Sequence, residues 1–157
     1  MIQPATASAI RALAARDVSD ASPSFDPDAS IAPPDVLAML ADLAASIQSR
    51  FVPAAWWWFD DDGQIAGLCS ITRPPSQGDV DIGYGVARGH HGRGIATRAI
   101  AATVRWARSD PRVLRLTAET SVDNLASQRV LQRNGFAVVG RRLDAEDGEV
   151  LCWALPT

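Results

Sequence analysis

The segment His91-Gly92-Arg93-Gly94-Ile95-Ala96 lies between an alternating apolar run that ends at Val86 and a helical pattern that begins at about Gly94. The N-terminus of a helix presents unpaired N–H groups and a partial positive charge, and this arrangement binds phosphate. The two glycines let the backbone approach an anion without a Cβ collision, and Arg93 and Arg98 add positive charge nearby. The segment predicts a phosphate-binding turn, although its spacing alone also fits a capped turn that binds nothing.

Other phosphate-binding motifs do not fit the sequence. Gly83-Tyr84-Gly85 matches the start of a GxGxxG dinucleotide motif, but Arg88 occupies the position of the third glycine. All 15 positively charged residues are arginines. The P-loop, Schiff-base chemistry and pyridoxal chemistry each require a lysine, so these classes are excluded.

Two blocks of the sequence resemble the GCN5-related N-acetyltransferases (GNAT). The first is the loop above, written Q/R-x-x-G-x-G/A in that family, with His91 in place of the usual Gln or Arg. The second is Ala118-Glu119-Thr120 … Asp123-Asn124-Leu125-Ala126-Ser127 … Asn134-Gly135-Phe136. The likeness is strong over residues 80–136. The extended loop region, Gly83 to Ala99, is similar to the branch of the ribosomal-protein alanine and serine N-acetyltransferases (RimJ/RimL-like).

The resemblance implies a mixed α/β (α+β) GNAT-like fold. It comprises about four helices and a mostly antiparallel sheet of about six to seven strands with one splayed parallel pair. We expect a single domain over residues 1–157. Hydrophobic periodicity predicts helices at Ala7–Ala15, from Pro34 to before Pro53, at Gly94–Arg108 and at Leu125–Asn134, and strands at Ile2–Thr6, Trp56–Phe59, Ile65–Thr72, Val80–Val86, Val113–Thr120, Ala137–Leu143 and Val150–Leu155. Asp123 is the predicted N-cap of the last helix, and Asp17–Pro34 is predicted to be a loop.

The resemblance also implies a set of residues that bind acetyl-CoA, the expected acetyl donor. In the family the pantetheine arm runs beside one strand, the pyrophosphate lies on the loop, and a later helix faces the thiol. The matching positions in this sequence are Gly85, Val86, Ala87, His91, Gly92, Arg93, Gly94, Ile95, Ala96, Thr97, Asn124 and Ser127.

Acetyl transfer to an amine requires a base for the ammonium and benefits from an acid for the departing thiolate. By resemblance, Glu119 is the candidate base, and a glutamate that pairs with an arginine is the alternative. Asp81 is the reserve base. The family's acidic tyrosine position holds Leu131, so Ser127 is the candidate that serves the thiol, and Tyr84 is the only tyrosine in the chain.

The predicted acceptor is a primary amine: a protein N-terminus, an amino acid, an aminoglycoside-like drug or a polyamine. A non-catalytic acyl-CoA sensor or interaction module of the same fold is the alternative. The acidic stretches Asp17–Pro34 and Asp60–Asp62 would suit a cationic acceptor if they border the cleft. A homodimer is left open, and exposed tryptophans within Trp56–Trp58 would favour it.

Composition and residue placement indicate which other partners, compartment and metal sites to expect. A net charge of −3 with a pI near 5.2 gives no overall attraction to nucleic acid. No apolar run approaches the ~20 residues of a membrane span, and we expect a cytoplasmic protein. His90 and His91 are adjacent and cannot share one face, while Cys69 and Cys152 are predicted to be buried free thiols. No metal site is therefore expected.

Overall fold

The computed structural model describes residues 1–16, 30–145 and 148–157. Within those ranges the chain forms seven strands and four α-helices, in the order β1 (Ile2–Pro4), α1 (Ala7–Ala14), α2 (Pro34–Gln48), β2 (Ala55–Phe59), β3 (Ile65–Ile71), β4 (Asp79–Val86), α3 (Ile95–Ser109), β5 (Arg115–Ser121), α4 (Leu125–Arg133), β6 (Ala137–Asp144) and β7 (Gly148–Pro156). A short 3₁₀ turn, Arg88–His90, precedes the glycine loop. The predicted mixed α/β fold is confirmed.

The strands form one sheet in the order β1-β2-β3-β4-β5-β7-β6, in which only β4 and β5 pair in parallel. That parallel ladder is short, running from Asp79↔Arg115 to Asp81↔Thr117. Beyond it, β4 continues beside β3 as far as Val86, and β5 continues beside β7 as far as Ser121. The two strands therefore diverge and leave a gap between their C-terminal halves, which is the predicted splayed pair.

Helix α3 covers one face of the sheet, and the tryptophans of β2 show which face this is. The ring of Trp56 lies 4.5 Å from the ring of Trp106 on α3, and Trp58 lies 5.5 Å from Tyr84 of β4. Every residue of β2 and β3 is buried. Because successive side chains of a strand face opposite sides, Trp57 packs on the other face, which α2 covers, with α1 packed against α2. We call these the α3 face and the α2 face.

The condition under which the tryptophans of β2 would favour a homodimer, their exposure, is not met, and the homodimer stays open. Trp56, Trp57 and Trp58 are all buried within the described chain, so they give no exposed aromatic surface for a second subunit. The three indole rings therefore form part of the apolar core of the sheet.

Most predicted elements are confirmed with boundary shifts of one or two residues, and one cap is corrected. Asn124, rather than Asp123, is the N-cap of α4, because its side-chain oxygen accepts a hydrogen bond from Ser127 N at 3.1 Å. Gly135 ends this helix region with a φ of 86°, as predicted. The predicted loop Asp17–Pro34 lies mostly outside the described residues, and its end, Pro34, is the first residue of α2. Among the described residues, no helix is long and apolar enough to cross a membrane.

Candidate active site

The glycine loop reaches α3 through two residues in the left-handed region. Gly92 has a φ of 74°, and Gly94, the N-cap of α3, has a φ of 71°. A Cβ on Gly92 would meet no atom within 4 Å, and one on Gly94 would meet only the guanidinium of Arg98 at 3.5 Å. Backbone conformation therefore requires the glycines, and the space above both is open.

The backbone N–H groups from Gly92 to Thr97 lie next to this open space. None of them donates to an acceptor in the described part of the chain, and the first helical bond at this end runs from Arg98 N to Gly94 O. Arg98 also folds back, and its Nη1 donates to the carbonyl of Arg93 at 3.1 Å. A loop carbonyl is thereby occupied, while the adjacent donors remain available for an anion.

His91 does not point at the open space above the loop. Its Nε2 donates to the carbonyl of Val86 at 2.8 Å and ties the end of β4 to the loop. The imidazole at this motif position therefore positions the backbone in this structure.

His90, next to the glycine loop, makes a buried contact with Asp60 that the sequence did not predict. Its Nε2 lies 3.0 Å from Oδ2 of Asp60, and the two side chains are only 10% and 5% exposed. Burial raises the pKa of Asp60, but hydrogen bonds from Gln64 N, His90 and Asp62 N outweigh it and lower that pKa. Asp60 is therefore a buried support for the loop and is not available to a cationic acceptor, whereas Asp61 and Asp62 of the same stretch are exposed.

The gap between β4 and β5 exposes the backbone of alternate residues. Ala87 N donates to Ala66 O, and Asp81 O accepts from Thr72 N, so the odd-numbered residues of β4 face β3. Tyr84 and Val86 consequently direct their N–H and C=O groups toward the gap.

Three neighbouring residues of this strand end, Gly85, Val86 and Ala87, were predicted to bind the pantetheine arm. The backbone groups of Val86 face the gap, whereas those of Gly85 and Ala87 face β3. At Gly85 a Cβ would lie 3.2 Å from Ile31 O, so this glycine permits a close approach of the chain.

Helix α4 borders the gap on the α3 face. The Asn124 side chain caps the helix, and the hydroxyl of Tyr84 donates to the carbonyl of Ser127 at 3.2 Å. Burial raises the pKa of Tyr84 to about 12. Leu131 is fully buried. Asn124, Ser127 and Tyr84 therefore meet at one place, and Tyr84 ties β4 to α4.

Glu119 lies on β5 beyond the last β4 pair, on the α2 face of the sheet. Arg142 of β6 holds it with two bonds, Nε to Oε1 at 2.8 Å and Nη2 to Oε2 at 2.5 Å, and also binds Asp144 at 2.8 Å. The hydrogen bonds from Arg142 lower the pKa of Glu119 and keep it ionised. The glutamate–arginine pair that the sequence left open is thus present. Arg142 lies 23 residues from Glu119 in sequence and gave no local signal.

Asp81, the reserve base, is saturated by donors. It accepts hydrogen bonds from the hydroxyl of Thr72, from Arg73 Nη2 at 2.9 Å and from the hydroxyl of Thr117 at 2.6 Å. Its side chain is 11% exposed. Asp81 therefore stabilises the start of the gap and has little room to accept a substrate proton.

The cysteines are free, as predicted, but only Cys69 is buried. Cys152 is partly exposed, its Sγ lies 3.9 Å from Glu119 Oε1, and burial together with that carboxylate raises the pKa of its thiol. Among the described residues, no group of three or more His, Cys, Asp or Glu side chains could hold a metal ion.

Comparison with known proteins gives consistent results. The chain is 32% identical over 72 residues to an uncharacterized N-acetyltransferase, YjdG, of Bacillus subtilis, covering 46% of this chain and 43% of that protein. It is 32% identical over 89 residues to a ribosomal-protein-serine acetyltransferase of Escherichia coli, covering 56% and 49%. These matches span about half the length of either relative.

Structural comparison extends the similarity to nearly the whole chain. The structure of RimL, a ribosomal L7/L12 alpha-N-protein acetyltransferase in complex with coenzyme A, aligns with a TM-score of 0.69 at 21% identity. The alignment covers 99% of this chain and 92% of that one. A sequence model of the acetyltransferase (GNAT) domain matches residues 3–137. With the open glycine loop and the splayed β4–β5 pair in place, the chain belongs to the GNAT acetyltransferase family.

Proposed function

We propose that this protein transfers the acetyl group of acetyl-CoA to a primary amine. One observation carries the proposal: an open row of backbone N–H donors at the start of α3, beside a gap between two diverging strands. The first feature suits the pyrophosphate of coenzyme A, and the second suits an extended arm that pairs with a strand edge. The family match and a coenzyme A complex of a protein with the same fold support it.

The glycine loop has the open space and the nearby positive charge that a diphosphate needs. Space that a Cβ would fill at Gly92 lies open, and the arginines Arg93 and Arg98 flank it. The N–H of Val86 and the backbone groups of Tyr84 would hold the arm, since the Val86 carbonyl already accepts from His91, and the N-terminal turn of α4 would close the far side. When bound, acetyl-CoA supplies an activated thioester, and the chain supplies the position and the charges.

The reaction forms a bond from the amine nitrogen to the acetyl carbon and breaks the carbon–sulfur bond. The amine loses a proton, and the thiolate leaves with the electron pair of the broken bond. Glu119 is ionised and, at 26%, more exposed than Asp81, so it would hold the incoming ammonium and receive its proton through water; its pairing with Arg142 makes it a weaker base than a free glutamate. The Ser127 hydroxyl would lie near the departing sulfur, at the place where Tyr84 meets α4.

Calorimetric titration of acetyl-CoA tests the donor site. We expect micromolar binding, and a loss of at least about 100-fold in Gly94→Trp, because a side chain there fills the open space and strains a positive φ. Gly148→Ala is the control, since Gly148 also has a φ of 71° with no atom within 4 Å of its Cβ position. Absence of binding at millimolar acetyl-CoA would refute the proposal.

Glu119→Gln separates an enzyme from an acyl-CoA-binding module. We expect turnover of an amine panel to fall by about 100-fold or more while acetyl-CoA affinity is unchanged. Glu149→Gln, which alters another glutamate paired with an arginine, should leave turnover intact. If wild-type protein binds acetyl-CoA but acetylates no amine in the panel, the binding-module alternative is correct.

A further inference from the structure

The α2 face of β4, β5 and β6 carries a network of charged side chains next to Glu119. Arg73 and Thr117 donate to the same oxygen of Asp81, Oδ1, at 2.9 and 2.6 Å. Thr117 and Glu119 are two residues apart on β5, so their side chains share a face. Arg73 therefore lies beside the proposed acceptor position, and its charge adds to that of Arg142 in lowering the pKa of Glu119.

The cations of this network are more exposed than its anions. The side chain of Arg73 is 60% exposed and that of Arg142 is 45% exposed. The carboxylates that they bind are 11% exposed at Asp81 and 26% exposed at both Glu119 and Asp144. A molecule that approaches this face from solvent thus meets guanidinium groups before carboxylate oxygens.

Arg73 also has spare hydrogen-bonding capacity. A guanidinium has five N–H donors in a planar fork, and in the described chain Arg73 uses one, Nη2, on Asp81. Arg142 spends three of its donors on Glu119 and Asp144. Because Asp81 is held by two threonines as well, it fixes one end of the Arg73 guanidinium and leaves the rest facing solvent.

From this arrangement, and resting on the proposed function, we infer that the acceptor is a small amine that carries a carboxylate or a similar anion, and that Arg73 binds that anion. An α-amino acid has this chemistry, with the ammonium directed to Glu119 and the carboxylate to the free donors of Arg73. A polyamine has no group for Arg73, and the exposed carboxylate of this face, Asp79 at 39%, is already paired with Arg115.

The test compares each of several amino acids with its own amide, so that only the anionic group changes. We expect the wild-type protein to acetylate the acid form with kcat/KM about 10–100-fold above that of the amide. In Arg73→Gln this preference should disappear, through loss of activity on the acid and little change on the amide. Short peptides beginning with Asp or Glu form a further arm; acetylation of these in place of free amino acids would overturn the small-molecule assignment.

Thr117→Val is the matched control for effects transmitted through Asp81. It removes a donor to the same Asp81 oxygen without removing a cation, so it should lower activity on both forms equally or leave both unchanged. Equal wild-type rates for acid and amide, or an equal loss for both in Arg73→Gln, would overturn the inference. Acetyl-CoA titration of Arg73→Gln, expected to match wild type, keeps this result separate from a failure of the donor site.

Discussion

The two sides of the candidate site are built from different parts of the chain. The proposed acetyl-CoA side, called the donor side, consists of backbone groups: the N–H groups after Gly92 and the strand edge at Val86, held by residues close in sequence. The proposed amine side, called the acceptor side, consists of charged side chains that meet across strands, such as Glu119 with Arg142 and Asp81 with Arg73. A backbone site resists side-chain substitution, whereas a charged face is readily altered by single substitutions.

The largest effect on the donor side is expected from a substitution in β3 that displaces the neighbouring strand, β4. A Cβ on Gly67 of β3 would lie 2.6 Å from Gly85 O and 2.9 Å from Trp58 Cε3, and neither neighbour is the end of a flexible side chain. We expect Gly67→Ala to cost about 3 kcal/mol or more, which lowers the melting temperature by about 6–12 °C. Acetyl-CoA binding should weaken in the protein that remains folded.

Gly140→Ala is the comparison for that substitution. Gly140 also lies in a strand, but a Cβ there would meet no atom within 4 Å. The free energy of unfolding should change by no more than about 0.5 kcal/mol. Equal melting temperatures for the Gly67 and Gly140 variants would show that β4 moves freely and that the donor side is not preorganised.

A smaller effect is expected from the support beneath the loop. Asp60→Asn removes the charge that faces His90, and we expect the melting temperature to fall by about 3–6 °C and acetyl-CoA binding to weaken about threefold to tenfold. Asp61→Asn, in the same turn but exposed, should change neither. An unchanged affinity in Asp60→Asn would mean that the loop holds its shape without this pair.

The pH dependence of this variant follows from the lowered pKa of Asp60. The charged carboxyl stabilises the fold above its unfolded-state pKa of about 3.9, and this contribution is lost as the pH falls through the folded-state value. The gap in melting temperature between wild type and Asp60→Asn should therefore narrow in acid. A gap that widens on acidification would contradict this assignment.

On the acceptor side, Arg142→Gln should change the pH profile of turnover. Without the hydrogen bonds from Arg142, the pKa of Glu119 rises, so the acidic limb of kcat/KM moves to higher pH. Arg141→Gln, at the neighbouring residue that pairs with Glu149, should leave the limb in place. An unmoved limb in Arg142→Gln would remove Glu119 from the proton-transfer step.

The family resemblance predicted the fold class with its splayed strand pair, and local spacing predicted the glycine loop between a strand and a helix. Glycine spacing, helix periodicity and the Asn124 region are each visible within a few residues. The partners of Glu119, Asp81 and His90 were not predictable, since each pair depends on strand register or on a turn 30 residues away, as for Asp60. Long-range register carries no signature in a single sequence, and the corrected role of Asp60 follows from that limit.

The smallest expected effect concerns Tyr84, which lies between the two sides, and tests whether its hydroxyl takes part in acetyl transfer. Tyr84→Phe removes one hydrogen bond, from the hydroxyl to Ser127 O, and should cost about 1 kcal/mol, or about 2–4 °C in melting temperature. Because burial raises the pKa of Tyr84 to about 12 and its proton is engaged by a carbonyl, we expect turnover to stay within about twofold of wild type. A fall of tenfold or more in kcat, with KM unchanged, would instead make Tyr84 the acid for the departing thiolate, and the donor side would then contribute a side chain to the reaction.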